Sequence, residues 1–407
     1  MTVKILAILI VILTCSYKLV LSVIKHRSAN NPTPKCVSDI YDEETYAKWK
    51  KYSAEHCLLD IVADAISCVF TVLMLIFNAH ASFASLFPSG VFMQMFGVVL
   101  YECLVSIIVS TAISYIGTMV IEEKYGFNRS TGKTFTIDKI REFIIGFILD
   151  LMLVLGLWGV HTALDDWLIL LFAISVFAFS IGVSFLYPIL SRIGNKFTPL
   201  EDGELKDRLM ELLTKHGYRV KAIEIMDASR RTTKSNAYFT GFGKMKTVVL
   251  YDNLVNNMTT DEICAVFAHE LGHGLHRDVL KLQIINFGNL LLMSLVVWIA
   301  VKFPILHTSF GFDGVNYGFA FVLLSIGLGL THPLTGIGMN AVSRHAEFRA
   351  DRQAISEGYG EALISALKKL SRDNFAHLSP SRINVVLEYS HPPISERIEA
   401  IEREMSK

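Results

Sequence analysis

Long apolar stretches alternate with polar connections along almost the whole chain. Seven of them approach the roughly 20 predominantly apolar residues that a helix needs to cross a bilayer. They are ILAILIVILTCSYKLVLSVI (5–24), LLDIVADAISCVFTVLMLIF (58–77), a segment within 90–121, FIIGFILDLMLVLGLWGV (143–160), WLILLFAISVFAFSIGVSFLYPIL (167–190), 283–301 and 317–339. Lys18 interrupts the first, but no small-residue cleavage pattern follows before Lys25-His26-Arg27, so a retained membrane helix is expected rather than a removed signal peptide.

Between the fifth and sixth stretches the pattern changes. TPLEDGELKDRLMELLTKHG (198–217) has the spacing of an amphipathic helix stopped by Gly217. YRVKAIEIMDAS and SNAYFTGFGKMKTVVLYDNL then supply short β-rich runs around a glycine-containing turn, which predicts a small hairpin or sheet. A second helix from about Thr260 leads straight toward the sixth span. This reading divides the chain into a membrane region with five helices (1–194), a soluble segment (195–282), two further membrane helices (283–340) and a C-terminal part (341–407) that belongs with the soluble segment.

Composition agrees with a mainly α integral membrane protein: 52% of the 407 residues are hydrophobic and only 19% charged. A net charge of zero, with no basic block interleaved with aromatics, argues against nucleic acid as a partner. The six cysteines are scattered without a CxxC pair, so imidazole and carboxylate must hold any metal. Lys and Arg accumulate in the connections after spans one, three, five and seven; those after two, four and six are short and, apart from Lys302, nearly free of them. The bias puts the N-terminus outside and both large polar segments in the cytosol. Asn128-Arg129-Ser130 then lies on a side where its glycosylation pattern stays unmodified, and Cys36 and Cys57 stay reduced. Asp60 can sit near a membrane interface, but Asp64, Glu102 and Asp150 lie deeper in their spans, where carboxylates usually face polar space inside a bundle.

The chemistry is concentrated in three short blocks. In FAHELGHGLHRD (267–278), His269 and His273 are one helical turn apart and can meet one zinc ion, while Glu270 is offset toward a water rather than the metal. Such a string arises by chance in on the order of one chain in fifty of this composition, and a catalytic zinc wants a third protein ligand. VSRHAEFRADRQAIS (342–356) offers Glu347 as that ligand and, one turn later, Asp351 as acceptor for the far ring nitrogen of His269. A solvated helix in which Arg344, Arg349 and Arg352 pair with the acids is the alternative, and His345 is turned to another face. In YSHPPISERIEAIER (389–403), His391 precedes Pro392-Pro393 at a helix start, where it can donate to an oxyanion, and Arg397 can brace a ligand or intermediate; a purely structural helix start is the plainer reading of this block alone.

HELGH (269–273), SRHAEFRAD (343–351), YSHPPISER (389–397), SNAYFTGF (235–242) and EEKYGFNRST (122–131), in this order among seven spans, make the chain resemble the type I CAAX prenyl proteases, which are integral-membrane zinc metallopeptidases. The resemblance implies seven helices enclosing an intramembrane chamber and a gluzincin-like zinc protease domain. It implies one Zn2+ per chain on His269, His273 and Glu347, Glu270 as general base, and His391 and Arg397 as stabilisers of the intermediate. It also implies that Asn236, Ala237, Tyr238 and Phe239 bind the substrate backbone. The substrates implied are prenylated CAAX proteins, which lose their last three residues. A monomer is expected, in the endoplasmic reticulum or nuclear envelope of a eukaryote or the inner membrane of a bacterium, with its protease part on the cytosolic side.

Asp278 departs from the pattern, standing where members of the family often carry histidine. An acid there is also similar to the bacterial HtpX-like membrane proteases, which implies quality control of misfolded or stalled membrane proteins as the competing enzymatic reading. Those proteases have fewer spans and lack the EEKYGFNRST loop. A seven-span receptor or transporter with an incidental HExxH string is the non-enzymatic alternative; it predicts no stoichiometric zinc and leaves three mutually completing motifs unexplained.

Overall fold

The computed structural model describes residues 1–164, 167–192, 195–218, 222–234, 237–240 and 247–407. Six of its helices are long and apolar enough to cross a membrane. They are α1 (Thr2–Ser28), α2 (Glu43–Ile76), α3 (Val91–Tyr115, continued by a π-helical turn Ile116–Glu122), α4 (Gly132–Leu164), α8 (Asp278–Lys302) and α9 (Tyr317–Ser356). The fifth expected span is the helix α5 (Leu168–Leu190), whose described apolar run, Ile169–Val183, is shorter. Bulky side chains such as Leu9, Phe70, Ile108, Ile144 and Ile284 stand exposed on these helices. Apolar surface on that scale is unsuited to water and suits a bilayer. The carboxylates inside the spans have polar neighbours: Lys18 Nζ lies 3.3 Å from Asp64, His80 pairs with Glu102, and Cys103 Sγ donates to Asp150 at 3.6 Å. The side chains of Asp64 and Glu102 stay 31% and 42% exposed, which is consistent with polar space within the bundle.

The soluble segment folds around a four-stranded sheet of order β1-β2-β4-β3, with β1 Phe197–Pro199, β2 Ala222–Met226, β3 Ala237–Thr240 and β4 Thr247–Tyr251. The expected hairpin is the antiparallel pair β3/β4, in which Ala237 faces Leu250. β2 instead runs parallel to β4, with Ile223 opposite Val248, and β1 closes the other edge antiparallel to β2. Helix α6 (Glu204–Lys215) lays Leu209, Leu212 and Leu213 on the core that Ile223, Val248 and Leu250 form, and α7 (Thr260–Leu275) adds Ile263, Cys264 and Phe267.

Helix α7 starts at a capping box: Thr259 Oγ1 accepts from the Glu262 amide at 3.3 Å, and Glu262 Oε2 accepts from the Thr259 amide at 2.8 Å. It does not run straight into the membrane. Arg277, with φ +54°, breaks it in the left-handed region, and α8 begins at Asp278, an acid favoured in a first helical turn. Helix α9 has 40 residues, roughly 60 Å at the usual rise and about twice a hydrocarbon core. Its apolar first half belongs to the bundle, and its polar second half continues beyond it against α7. Helices α10 (Gly360–Asp373) and α11 (Ile394–Met405) complete the soluble part. The connection between α1 and α2 and the start of α2 dock onto this part: Tyr41, in the connection, donates to the Ser371 carbonyl at 2.9 Å, and Trp49, in α2 and 1% exposed, donates from Nε1 to the Phe375 carbonyl at 3.1 Å.

Where α7 meets α9 the backbones nearly touch. A methyl group on Gly272 would come within 2.9 Å of both the Ala350 Cα and the Gln353 Cβ, and backbone cannot fold away as a long side chain can. Gly272→Ala is therefore expected to destabilise the protein by about 1–3 kcal/mol, as overpacking does. Gly288→Ala, a site with nothing within 4 Å of the added carbon, is the control expected to leave thermal unfolding in detergent unchanged or slightly improved.

Candidate metal centre

The close approach at Gly272 brings the two motif blocks face to face. His269 and His273 present their Nε2 atoms to one carboxylate, that of Glu347, at 3.4 and 3.3 Å. The potential donor atoms of these three residues all lie within 4.8 Å of one another, and no other such trio of His, Cys, Asp or Glu occurs among the described residues. His269 and Glu347 are buried, and His273 is half-buried.

The far side of each ring is occupied. His269 Nδ1 lies 2.8 Å from Asp351 Oδ1, and His273 Nδ1 lies 3.2 Å from Asp278 Oδ2. A carboxylate can only accept, so with a metal on Nε2 each ring would carry its proton on Nδ1 and donate it to Asp351 or Asp278. Two imidazole nitrogens and a carboxylate, with an acceptor carboxylate behind each ring, fit a divalent transition metal with an open fourth position.

Arg397 holds the acids in register. Its Nε donates to Asp351 Oδ2 at 2.9 Å and its Nη2 to Asp351 Oδ1 at 2.6 Å, while Nη1 sits 3.3 Å from Glu347 Oε2. Arg397 comes from the first turn of α11 and is 9% exposed, so three helices meet in one buried charge network. His391, just before Pro392-Pro393, places Nε2 3.4 Å from Glu347 Oε1 and keeps a side chain 68% exposed, turned to whatever enters the site. Ser390 Oγ lies 2.9 Å from its other ring nitrogen. Glu270 is half-buried on α7, near enough for its charge to act on His273 and Arg397, and has no hydrogen bond or ion pair among the described residues. His345 does not join the group.

Ala237, Tyr238 and Phe239 form β3, an edge of the sheet among the described residues and a neighbour of α7; Asn236 lies outside the described residues. Asp278 is the residue whose contact sequence reasoning missed. Five positions along a continuous helix would turn it about 140° away from His273. The break at Arg277 brings it back, and Arg349 pairs with its other oxygen.

Burial and Arg397 push the His269 imidazole down, but Asp351 and Glu347 outweigh them and its pKa is raised. Burial likewise opposes, and Glu347 and Asp278 outweigh, at His273, which is raised to about 8. In the metal-free protein the imidazolium–carboxylate pair at His273 is therefore present at low pH and lost as pH rises through about 8. A metal must displace that proton. Its apparent affinity, read by competition with a chromophoric chelator, is expected to fall by at least ~10-fold per unit below pH 8, and a flat profile would contradict this arrangement. Asp278→Asn and Asp351→Asn are each expected to loosen the metal by about 10–100-fold.

Residues 199–405 match the family model "Peptidase family M48", and residues 23–192 match "CAAX prenyl protease N-terminal, five membrane helices". The Schizosaccharomyces pombe "Probable CAAX prenyl protease 1" is 34% identical over 313 residues, covering 76% of this chain and 65% of the relative. The Arabidopsis thaliana "CAAX prenyl protease 1 homolog" is 29% identical over 393 residues, 92% of this chain and 91% of the relative. Among solved structures, the crystal structure of S. mikatae Ste24p superposes with a TM-score of 0.91 at 26% identity, covering 98% of this chain and 99% of that one. A His–His–Glu trio able to hold a metal, a free glutamate beside it and a match running through both the membrane and soluble regions lead to one conclusion: this chain is a multi-pass membrane metalloendopeptidase that belongs to peptidase family M48.

Proposed function

We propose that the protein is a zinc endopeptidase that removes the last three residues of prenylated CAAX proteins. The observation that carries this reading is the His269–His273–Glu347 trio, with Glu270 beside it, on a soluble part continuous through α8 and α9 with the membrane helices. An N-terminal region of the CAAX prenyl protease type supports the substrate assignment over the quality-control alternative. Chemistry supports it too: a lipid-modified cysteine needs an apolar place while the peptide beyond it reaches an aqueous site.

When bound on His269, His273 and Glu347, zinc supplies Lewis-acid activation of the attacking water and of the scissile carbonyl. The chain's own groups do the rest. Glu270, unencumbered, takes a proton from the water at its carboxylate and returns it to the leaving amine. The edge of β3 accepts the substrate as an added strand, with Asn236, Ala237, Tyr238 and Phe239 supplying the backbone contacts. His391 donates to the oxyanion that forms at the scissile carbon, and Arg397 keeps Glu347 and Asp351 in place. The protein works as a monomer with one zinc per chain. Its eukaryotic relatives and the charge bias of its loops support an endoplasmic reticulum or nuclear envelope location with the peptidase part facing the cytosol.

Glu270→Gln is expected to retain one zinc per chain and lose cleavage by ~10²–10⁴-fold. Full activity in that variant would sink the base assignment. A farnesylated CAAX peptide is expected to be cut at least ~10-fold faster than its unprenylated twin, because burying even part of the lipid adds several kcal/mol of binding. Equal rates would favour general quality-control proteolysis instead.

A further inference from the structure

The EEKYGFNRST block (122–131) marks the family resemblance, yet it contributes no atom to the metal centre. Its position in the fold points to another role. α3 ends in a seven-residue π-helical turn, Ile116–Glu122, an element that is uncommon and concentrated at functional sites. Glu122, the last residue of that turn, accepts on one carboxylate oxygen from the Tyr52 hydroxyl at 2.7 Å and Lys234 Nζ at 3.0 Å, and His56 Nε2 lies 3.3 Å from the same oxygen. The two donors also touch, with Lys234 Nζ 3.1 Å from the Tyr52 oxygen, and the ammonium lies 5.1 Å from the centre of the Phe127 ring.

Lys234 stands three residues before Ala237, where β3 begins. The chain leading to it is held on both sides. On the membrane side, the Thr233 amide donates to the Phe127 carbonyl at 3.2 Å, and the Arg129 amide to the Arg231 carbonyl at 3.0 Å. On the other side, Asn253 Nδ2 donates to the carbonyls of Thr232 at 2.7 Å and Lys234 at 3.2 Å. Gly126, at φ +83°, lets the loop fold back so that the Phe127 amide reaches the Glu122 carbonyl at 2.8 Å. Asn128 is 8% exposed, and its side-chain amide donates to Glu123 at 3.0 Å, so this asparagine is structural and closed to a glycan.

We propose that Glu122 and Lys234 form a latch between the membrane bundle and the start of β3, and that the latch sets the position of the substrate-binding edge relative to the metal. Both are positioning residues. Neither touches the His269–His273–Glu347 group, so the latch acts on how the peptide is held and leaves the metal and the proton transfer alone. This inference rests on the reading that β3 receives the substrate backbone. It also assigns a task to the third span: a shift of α3 in the bilayer is passed through Glu122 to the peptide site.

The test uses the full-length protein in detergent micelles or nanodiscs, comparing wild type, Glu122→Gln, Lys234→Met and the double variant. Tyr52→Phe, which removes one hydroxyl from the same network and keeps its ring, is the milder companion should a charge variant fold poorly. The readouts are metal content, kcat and KM on a farnesylated CAAX peptide, and amide hydrogen exchange across 237–240. KM is expected to rise by ~3–10-fold with kcat within about twofold and metal content unchanged, the signature of lost uniform binding. Exchange in β3 is expected to quicken as its anchoring weakens. The double variant should be no worse than the poorer single, since the two residues act through each other. Unchanged exchange in β3, or a loss of kcat that tracks a loss of metal, overturns the latch. Faster exchange with KM unmoved upholds the latch as the anchor of β3 and overturns β3 as the substrate strand.

Discussion

One buried network governs the rest of the structure: the Glu347 and Asp351 carboxylates, one helical turn apart, clamped between two histidines of α7 and the guanidinium of Arg397 from α11. Taking acids out of water is costly, and removing one partner of such a buried set typically costs about 3–5 kcal/mol. The network can persist only if three helices arrive together with their charges already matched. That demand explains the glycine at 272, where α7 and α9 touch backbone to backbone, and the docking of Trp49 and Tyr41 beneath the C-terminal helices. It also explains why the two halves of the centre can be separated by α8 and the first half of α9. These helices return the chain to its starting level, and α9 is long enough to carry Glu347 out of the bundle on the same helix that crosses it.

Placement at the foot of the bundle fits a peptidase whose substrate has one end in lipid. The apolar helices carry a few carboxylates, each beside a polar neighbour, so the bundle is not a solid apolar plug. The soluble part presents an edge strand next to the motif helix, and the segment leading into that strand is tied to the end of α3. The membrane helices and the segment leading into the edge strand are therefore joined by direct hydrogen bonds.

Much of this was legible in the sequence because its signals are local or strongly periodic. Apolar runs announce their spans, and the i,i+4 histidine pair and the four-residue spacing of Glu347 and Asp351 each select one helix face. What could not be read depends on chain geometry that leaves no such trace. Arg277 takes a left-handed conformation with no glycine to signal it, so a straight passage from motif to membrane was the natural expectation. The contact between Asp278 and His273 exists only because of that break. The parallel pairing of β2 with β4 was equally hidden, since alternation shows that strands exist and a tight turn shows one hairpin, whereas a crossover pairing follows from neither. The part played by Glu122 and Lys234 needed the fold itself: 112 positions separate them, and their charges look ordinary until both meet Tyr52.

The central claim is that two imidazoles from α7 and one carboxylate from α9 share one metal ion. X-ray absorption at the zinc edge of the purified protein addresses it directly. The account predicts one zinc per chain, with two nitrogen scatterers at about 2.0–2.1 Å that carry the multiple-scattering signature of imidazole, oxygen completing the shell, and one oxygen scatterer fewer or displaced in Glu347→Gln. A sulfur scatterer, three or more imidazoles, or a spectrum unaltered by Glu347→Gln would contradict it.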